Sequence, residues 1–475
     1  MPNSRRRPVD LPAILAGLYG LLVVGSLVRW AGLPSQRLPL FLVGVASIFA
    51  MLAALGFLAW YLLLRRRSTP EAAAHPLLGV AQRQGLAAVL TISGIMIVIG
   101  AFWDEVWHRS YGVPFGEDLL WRPHLLLYIG MLLVSLAAAY GLVVLWRGGR
   151  GNLRQRFRAD PHLGWLVLLG AFFVYAIPAD PAWHQLYGAD ITAWSVPHLI
   201  LMSAFAAIMV LAVALQYSLE VERPWRGVHR IGPLDLLVGV ATAFALKLGL
   251  QLLTTEWDGI TAIVQESANP FWQRPEWLLP VLIVGLAGFF GTLAVHASRL
   301  IGMATLIGLA ALTVRWLLVG FFGRPGITAD AWLLALPPLI ALDLWFAAKS
   351  FTAGRLAARR RSLGTQPVVF GSAVAATLGM ALGSLPLLDM LYLYPRVTVA
   401  TMLPMLAFGF LTALWSCWLG TRVGAALGPG AAVAPLRQAA AQRQEAVRVA
   451  SGAGIAVLVT AGFIGWFIAS ASPPV

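Results

Sequence analysis

Two stretches of the chain repeat one another, and the residue types they keep are those that bind metal ions. The first reads Asp104-Glu-Val-Trp107-His108, then Tyr111-Gly112, then Pro123-His124; the second reads Asp180-Pro-Ala-Trp183-His184, then Tyr187-Gly188, then Pro197-His198. Each supplies one carboxylate and two imidazoles, and together they hold four of the chain's eight histidines. Asp104 and His108 are four positions apart, as are Asp180 and His184, so on a helix each pair projects from one face, a turn apart. His124 and His198 open the next helix, and a short outer loop returns that turn beside the first. The result is a three-coordinate facial site with a fourth position open for water, oxygen or substrate.

Such a donor set suits copper, zinc or non-haem iron and does not by itself choose among them. The same residues have a plainer use. A Trp-His pair at a helix end can cap carbonyls and anchor the interface, and an aspartate can bond a neighbouring indole. Nothing about an interface demands Asp, Trp-His and Tyr-Gly at matched offsets twice, and this favours a metal. Asp118 and Asp190, which follow Tyr-Gly in each copy, could orient a histidine ring or serve as ligands themselves. Glu105 and Arg109 read as solvated loop charges.

Helices that cross a bilayer must position these residues. The 475-residue chain is 59% hydrophobic and 11% charged, with mean hydropathy +0.78, whereas soluble domains carry about 25% charged residues. The expected fold is an all-α polytopic membrane protein. About thirteen apolar runs of spanning length are read, near 11–31, 38–64, 84–104, 122–146, 162–180, 195–217, 232–253, 277–297, 300–321, 329–348, 367–388, 397–420 and 450–471. The first run is too long for a cleaved signal segment and is expected to remain a helix.

With the N-terminus inside, alternate loops should collect arginine. They do so at Arg5 to Arg7, Arg65 to Arg67, Arg147 to Arg158, Arg223 to Arg230, and Arg355 with Arg359 to Arg361. Both metal-like motifs then fall on the outer face of the inner (plasma) membrane, and a bacterial, multi-pass location is expected. The formal charge of +14 is split among short loops, so anionic lipid is the expected partner and a nucleic acid is not. The single cysteine, Cys417, excludes internal disulfides and argues against a thiolate site.

Spans three to twelve pair into five hairpins joined on the outer side. The returning helices open at Pro123, Pro197, Pro275, Pro337 and Pro404, and proline suits a helix's first turn. The expected organisation is two N-terminal helices over 1–83, duplicated metal hairpins over 84–220, degenerate hairpin repeats over 221–420, and an amphipathic inner segment with a last span over 421–475. In the third hairpin Asp258 and Glu276 keep the spacing of Asp180 and His198, but Ala262 replaces the middle histidine. Lys247 and Arg315 lie within spans, and by depth they could pair with Glu256, Asp258 or Glu276. Asp343 has no evident partner at its depth.

Asp-x3-His, a histidine on the next helix, and a second such set some seventy residues on resemble the copper membrane monooxygenase family, that of the particulate methane and ammonia monooxygenases. The likeness is to the family's copper-ligating membrane subunit and covers about residues 84–217. It implies one copper at Asp104, His108 and His124 and a second at Asp180, His184 and His198, where Asp180 stands in place of the family's usual Asn. It further implies dioxygen-dependent oxidation of a small apolar substrate or ammonia at the outer face, partner oxygenase subunits, and quinol or another electron donor. The alternative is a non-catalytic membrane protein for metal binding, transport or assembly. A haem carrier using His124 and His198 would leave both aspartates unexplained.

Overall fold

In the computed structural model, residues 77–111, 121–187, 196–217, 225–254, 275, 277–323, 330–356, 365–390, 397–427 and 458–471 are described, with scattered positions between 46 and 64. Among the described residues the architecture is all-α apart from one parallel pairing of Arg226–Gly227 (β1) with Leu300–Ile301 (β2). Among the described residues nine helices are long and apolar enough to cross a membrane, and Val238–Leu253 and Leu458–Ala469 are shorter apolar helices. The chain is a multi-pass membrane protein. The expected span over 11–31 lies outside the described residues, as does most of that over 38–64.

The helices that carry the motifs come first. They are α1 (Val80–Tyr111), α2 (Arg122–Gly148), the short α3 (Leu153–Ala159), α4 (Pro161–Tyr187) and α5 (Val196–Tyr217). Helices α1, α2, α4 and α5 close a ring in which α1 packs on α2, α2 on α4, α4 on α5 and α5 on α1. Lipid offers no hydrophobic drive for helix association, so close approach at small residues and shape must supply it. A side chain at Gly94 of α1 would collide with Met209 of α5, and one at Gly170 of α4 with Ala138 of α2. Phe173 of α4 stacks on Phe205 of α5 with ring centroids 5.2 Å apart.

A second group follows. It comprises α6 (Pro233–Thr254), α7 (Leu278–Ser298), α8 (Met303–Phe322), α9 (Leu336–Leu356), α10 (Thr365–Gly379), α11 (Leu385–Met390) and α12 (Val399–Leu427). A helix apolar all round belongs inside a bundle, and α7 is that helix: 89% of its apolar window is buried, with α6, α8, α9, α10 and α12 against it. The last helix, α13 (Leu458–Ala469), brings Ile464 and Phe467 onto Trp103 and Leu126. Cys417 and Met405 are buried in α12.

Polar pairs tie elements that are distant in the chain. Arg83 of α1 pairs with Asp160 at the foot of α4, both essentially inaccessible, and Arg83 lies 3.5 Å from the His162 ring. Asp343 does have partners: it accepts from the Gly302 N–H at 2.8 Å and from the Thr305 N–H and hydroxyl at 2.7 Å. The chain turns at Gly302, with φ 99°, and this sets the electropositive start of α8 against the α9 carboxylate.

Removing one partner of a buried ion pair leaves an uncompensated charge, at a cost of about 3–5 kcal/mol. Arg83→Leu should therefore lower the unfolding free energy in detergent by about that much. Arg83→Leu/Asp160→Leu should recover most of the loss, as read by thermal melting of the monodisperse protein.

Candidate metal centres

α1 is 32 residues long, or about 48 Å at 1.5 Å per residue, against a hydrocarbon core of about 30 Å. Its far end therefore reaches the interface, and Asp104 and His108 both sit on that final helical stretch. The sequence's i, i+4 requirement for the first motif is met by the backbone. It is met again in α4, which continues to Tyr187.

The partner histidines enter as expected. α2 begins at Arg122 with Trp121 as its cap and Pro123 in its first turn, and the Leu125 N–H donates to the Trp121 carbonyl at 2.8 Å. His124 thus faces back toward α1, with its Nε2 3.0 Å from Asp104 Oδ1. In the second copy, His198 Nε2 lies 3.4 Å from Asp180 Oδ1. The same carboxylate–imidazole pairing bridges both hairpins.

The side chains of His108 and His184 lie outside the described residues, as do Asp118 and Asp190. Among the described residues no group of three or more His, Cys, Asp or Glu comes together; the structure brings together two members of each trio. Two donors held by one ion at about 2.0–2.1 Å, with angles of about 90–110°, stand about 2.9–3.4 Å apart. The observed 3.0 and 3.4 Å fit that separation, and they equally fit a direct carboxylate–imidazole contact.

The surroundings of the two pairs differ. Trp103, Trp107 and Tyr111 form an edge-to-face ladder along α1, with centroids 5.2 and 5.9 Å apart. Trp121 meets Trp107 at 5.8 Å, and the His124 ring lies between Trp121 and Tyr128 at 6.5 and 6.0 Å. Asp104 and His124 are 20% and 16% exposed, against 24% and 33% for Asp180 and His198. The first pair is the more enclosed.

Glu105 is not a solvated loop charge. It is 10% exposed and lies 3.6 Å from Arg315 of α8, and Gln251 of α6 donates to it at 2.9 Å. Gln251 also donates to the Ala101 carbonyl at 3.2 Å and accepts from Lys247. The helix continues past the first charge, which turns Glu105 inward instead of leaving it in a loop. Glu256, Asp258 and Glu276, the expected partners of Lys247 and Arg315, lie outside the described residues. No motif singles out Gln251; its one signal is its place four residues after an intramembrane lysine.

No protein-family model, curated protein or solved structure matches this chain.

The two Asp–His contacts, as partly exposed ion pairs, should each contribute about 0.2–1 kcal/mol without metal. Double-mutant cycles on Asp104/His124 and on Asp180/His198, run by thermal unfolding in excess chelator, should give coupling in that range for both copies. Added metal should raise both couplings.

Proposed function

We propose that this protein is a metal-binding integral membrane protein of the copper monooxygenase type, oxidising a small apolar substrate or ammonia at the outer face. One observation carries the reading: a duplicated motif pairs the same carboxylate and imidazole across both hairpins, at 3.0 and 3.4 Å. Asp104, His108 and His124 would hold one ion, and Asp180, His184 and His198 the second. Asp118 and Asp190 are the candidates for orienting the rings. Copper leads zinc and non-haem iron because the motif order resembles that of the copper membrane monooxygenases.

Copper, when bound, supplies the capacity to activate dioxygen at an open coordination position. The chain's own residues do the rest. Asp104 and Asp180 offset the ion's charge at the membrane edge, where a lone carboxylate is costly. The Trp103, Trp107, Trp121 and Tyr128 rings restrict water around His124 and offer an apolar wall to an apolar substrate. Electrons would come from quinol or another donor, through partner subunits. The arginine-rich loops support an N-terminus inside and, by their alternation, about thirteen spans; a bacterial plasma membrane is part of the same reading.

The direct Asp–His contact also favours a second reading, a non-catalytic protein for metal binding, transport or assembly, because a carboxylate and imidazole in contact need no open position. The donors lie at one end of the helices, not along a path through them, which weighs against a conduit.

Metal analysis of the detergent-purified protein should find bound copper that His108→Ala/His184→Ala largely removes, with nitrogen couplings in the EPR spectrum of the parent. Equal metal content in the two preparations would defeat the reading. Binding without dioxygen consumption in membranes that hold the partner subunits would leave the non-catalytic reading.

A further inference from the structure

The two copies differ at one position beside the ligands. Asp104 is followed by Glu105, whereas Asp180 is followed by Pro181. Only the first copy therefore carries a second carboxylate there, and its neighbours come from the other half of the molecule. Gln251 bridges Ala101 and Glu105, which are one turn apart on α1. Arg315 approaches Glu105 from α8, and Lys247 donates to Gln251 from one turn earlier on α6. Both cations are fully buried. Each also lies over the same two rings, Arg315 at 4.8 and 4.7 Å and Lys247 at 5.3 and 6.0 Å from the Phe102 and Trp332 centroids. Two aromatic faces, with the bond to Gln251 for Lys247 and the Glu105 charge for Arg315, leave each cation little freedom to move.

We propose that Glu105 is a positioning residue which, gripped by Gln251 and Arg315, fixes the rotation of α1 and so aims Asp104 at the first metal centre, a carboxylate grip that Pro181 cannot supply at the second centre. This rests on the metal-centre reading above.

The magnitudes make the clamp matter. A carboxylate about 6 Å from the helix axis moves about 1 Å when the helix turns by about 10°, while coordination bonds tolerate about 0.2 Å. Ala101 and Glu105 lie on the face of α1 turned toward α6, and Asp104 is one residue, about 100°, away from Glu105. Holding the first face sets the direction of the second. The clamp acts through geometry and charge pairing and needs no proton transfer by Glu105.

The test uses the full chain with one centre disabled at a time. In the Asp180→Ala/His198→Ala background only the first centre remains; in the Asp104→Ala/His124→Ala background, only the second. Cu(II) is titrated into each, with and without Gln251→Leu, and separately with Glu105→Leu and Glu105→Gln, and followed by EPR. With the first centre alone, Gln251→Leu and Glu105→Leu should weaken Cu(II) binding about tenfold and shift the copper hyperfine splitting. Glu105→Gln, which still accepts from Gln251, should restore most of the affinity. With the second centre alone, none of the three should change either readout.

Equal effects in both backgrounds, or none in the first, would overturn the positioning role while leaving the centres intact. If neither background binds Cu(II), the metal reading falls and the clamp falls with it. Melting temperatures of all variants separate a general loss of stability, which would lower Cu(II) binding at both centres alike.

Discussion

A carboxylate within or at the edge of a bilayer core persists only where a partner offsets its loss of water, and the helix arrangement follows from how this chain meets that demand. Asp104 meets His124, Glu105 meets Gln251 and Arg315, and Asp180 meets His198. Asp160 meets Arg83, Asp235 meets Arg226, and Asp343 meets the first turn of α8. Several of these pairs join helices far apart in sequence. Apolar packing in lipid is permissive about which helix neighbours which; a few obligatory polar pairs are not. They register α1 against α2, α4, α6 and α8, and α8 against α9.

The ring of α1, α2, α4 and α5 shows what the duplication does physically. Exchanging α1 with α4 and α2 with α5 maps every contact of the ring onto another: α1 on α2 becomes α4 on α5, and α2 on α4 becomes α5 on α1. The two hairpins pack like the halves of a two-fold dimer joined into one chain. Within each half, one sequence motif yields the same Asp–His contact. The symmetry also makes departures informative. The second half of the molecule reaches the first copy through Glu105, and Pro181 cannot offer the second copy the same handle.

The long spans, the first two hairpins and the two Asp–His pairs were legible in the sequence because each depends on local features: hydropathy over twenty residues, proline in a first turn, and four-residue spacing. What escaped depends on neighbours that no local pattern encodes. Hydropathy ends the third span at Asp104 and the Asp104–His108 spacing asks for one turn more, yet the α1 backbone stays helical to Tyr111, where the Trp107 and Tyr111 rings each meet the ring one turn earlier edge to face. That extra helix is what turns Glu105 inward. Asp343 lies 41 residues from Gly302, and only the turn at Gly302 brings the start of α8 to it. Lys247 and Arg315 were visible as intramembrane cations, but the identity of an acid partner is a tertiary fact.

The two Asp–His distances carry more chemistry than their similarity suggests. An imidazole in direct contact with a carboxylate and one that shares an ion with it place N and O at nearly the same separation, so little movement separates the two states. On the proposed metal reading, such a site would be compact and charge-paired before an ion arrives, and would need only a small outward shift of two side chains to admit it. In the first copy the shift is opposed by Trp121 and Tyr128 flanking the His124 ring, whereas His198 is twice as exposed. On the proposed metal reading the second centre would exchange its ion more readily, and the more enclosed first centre would be the better place for chemistry that water quenches.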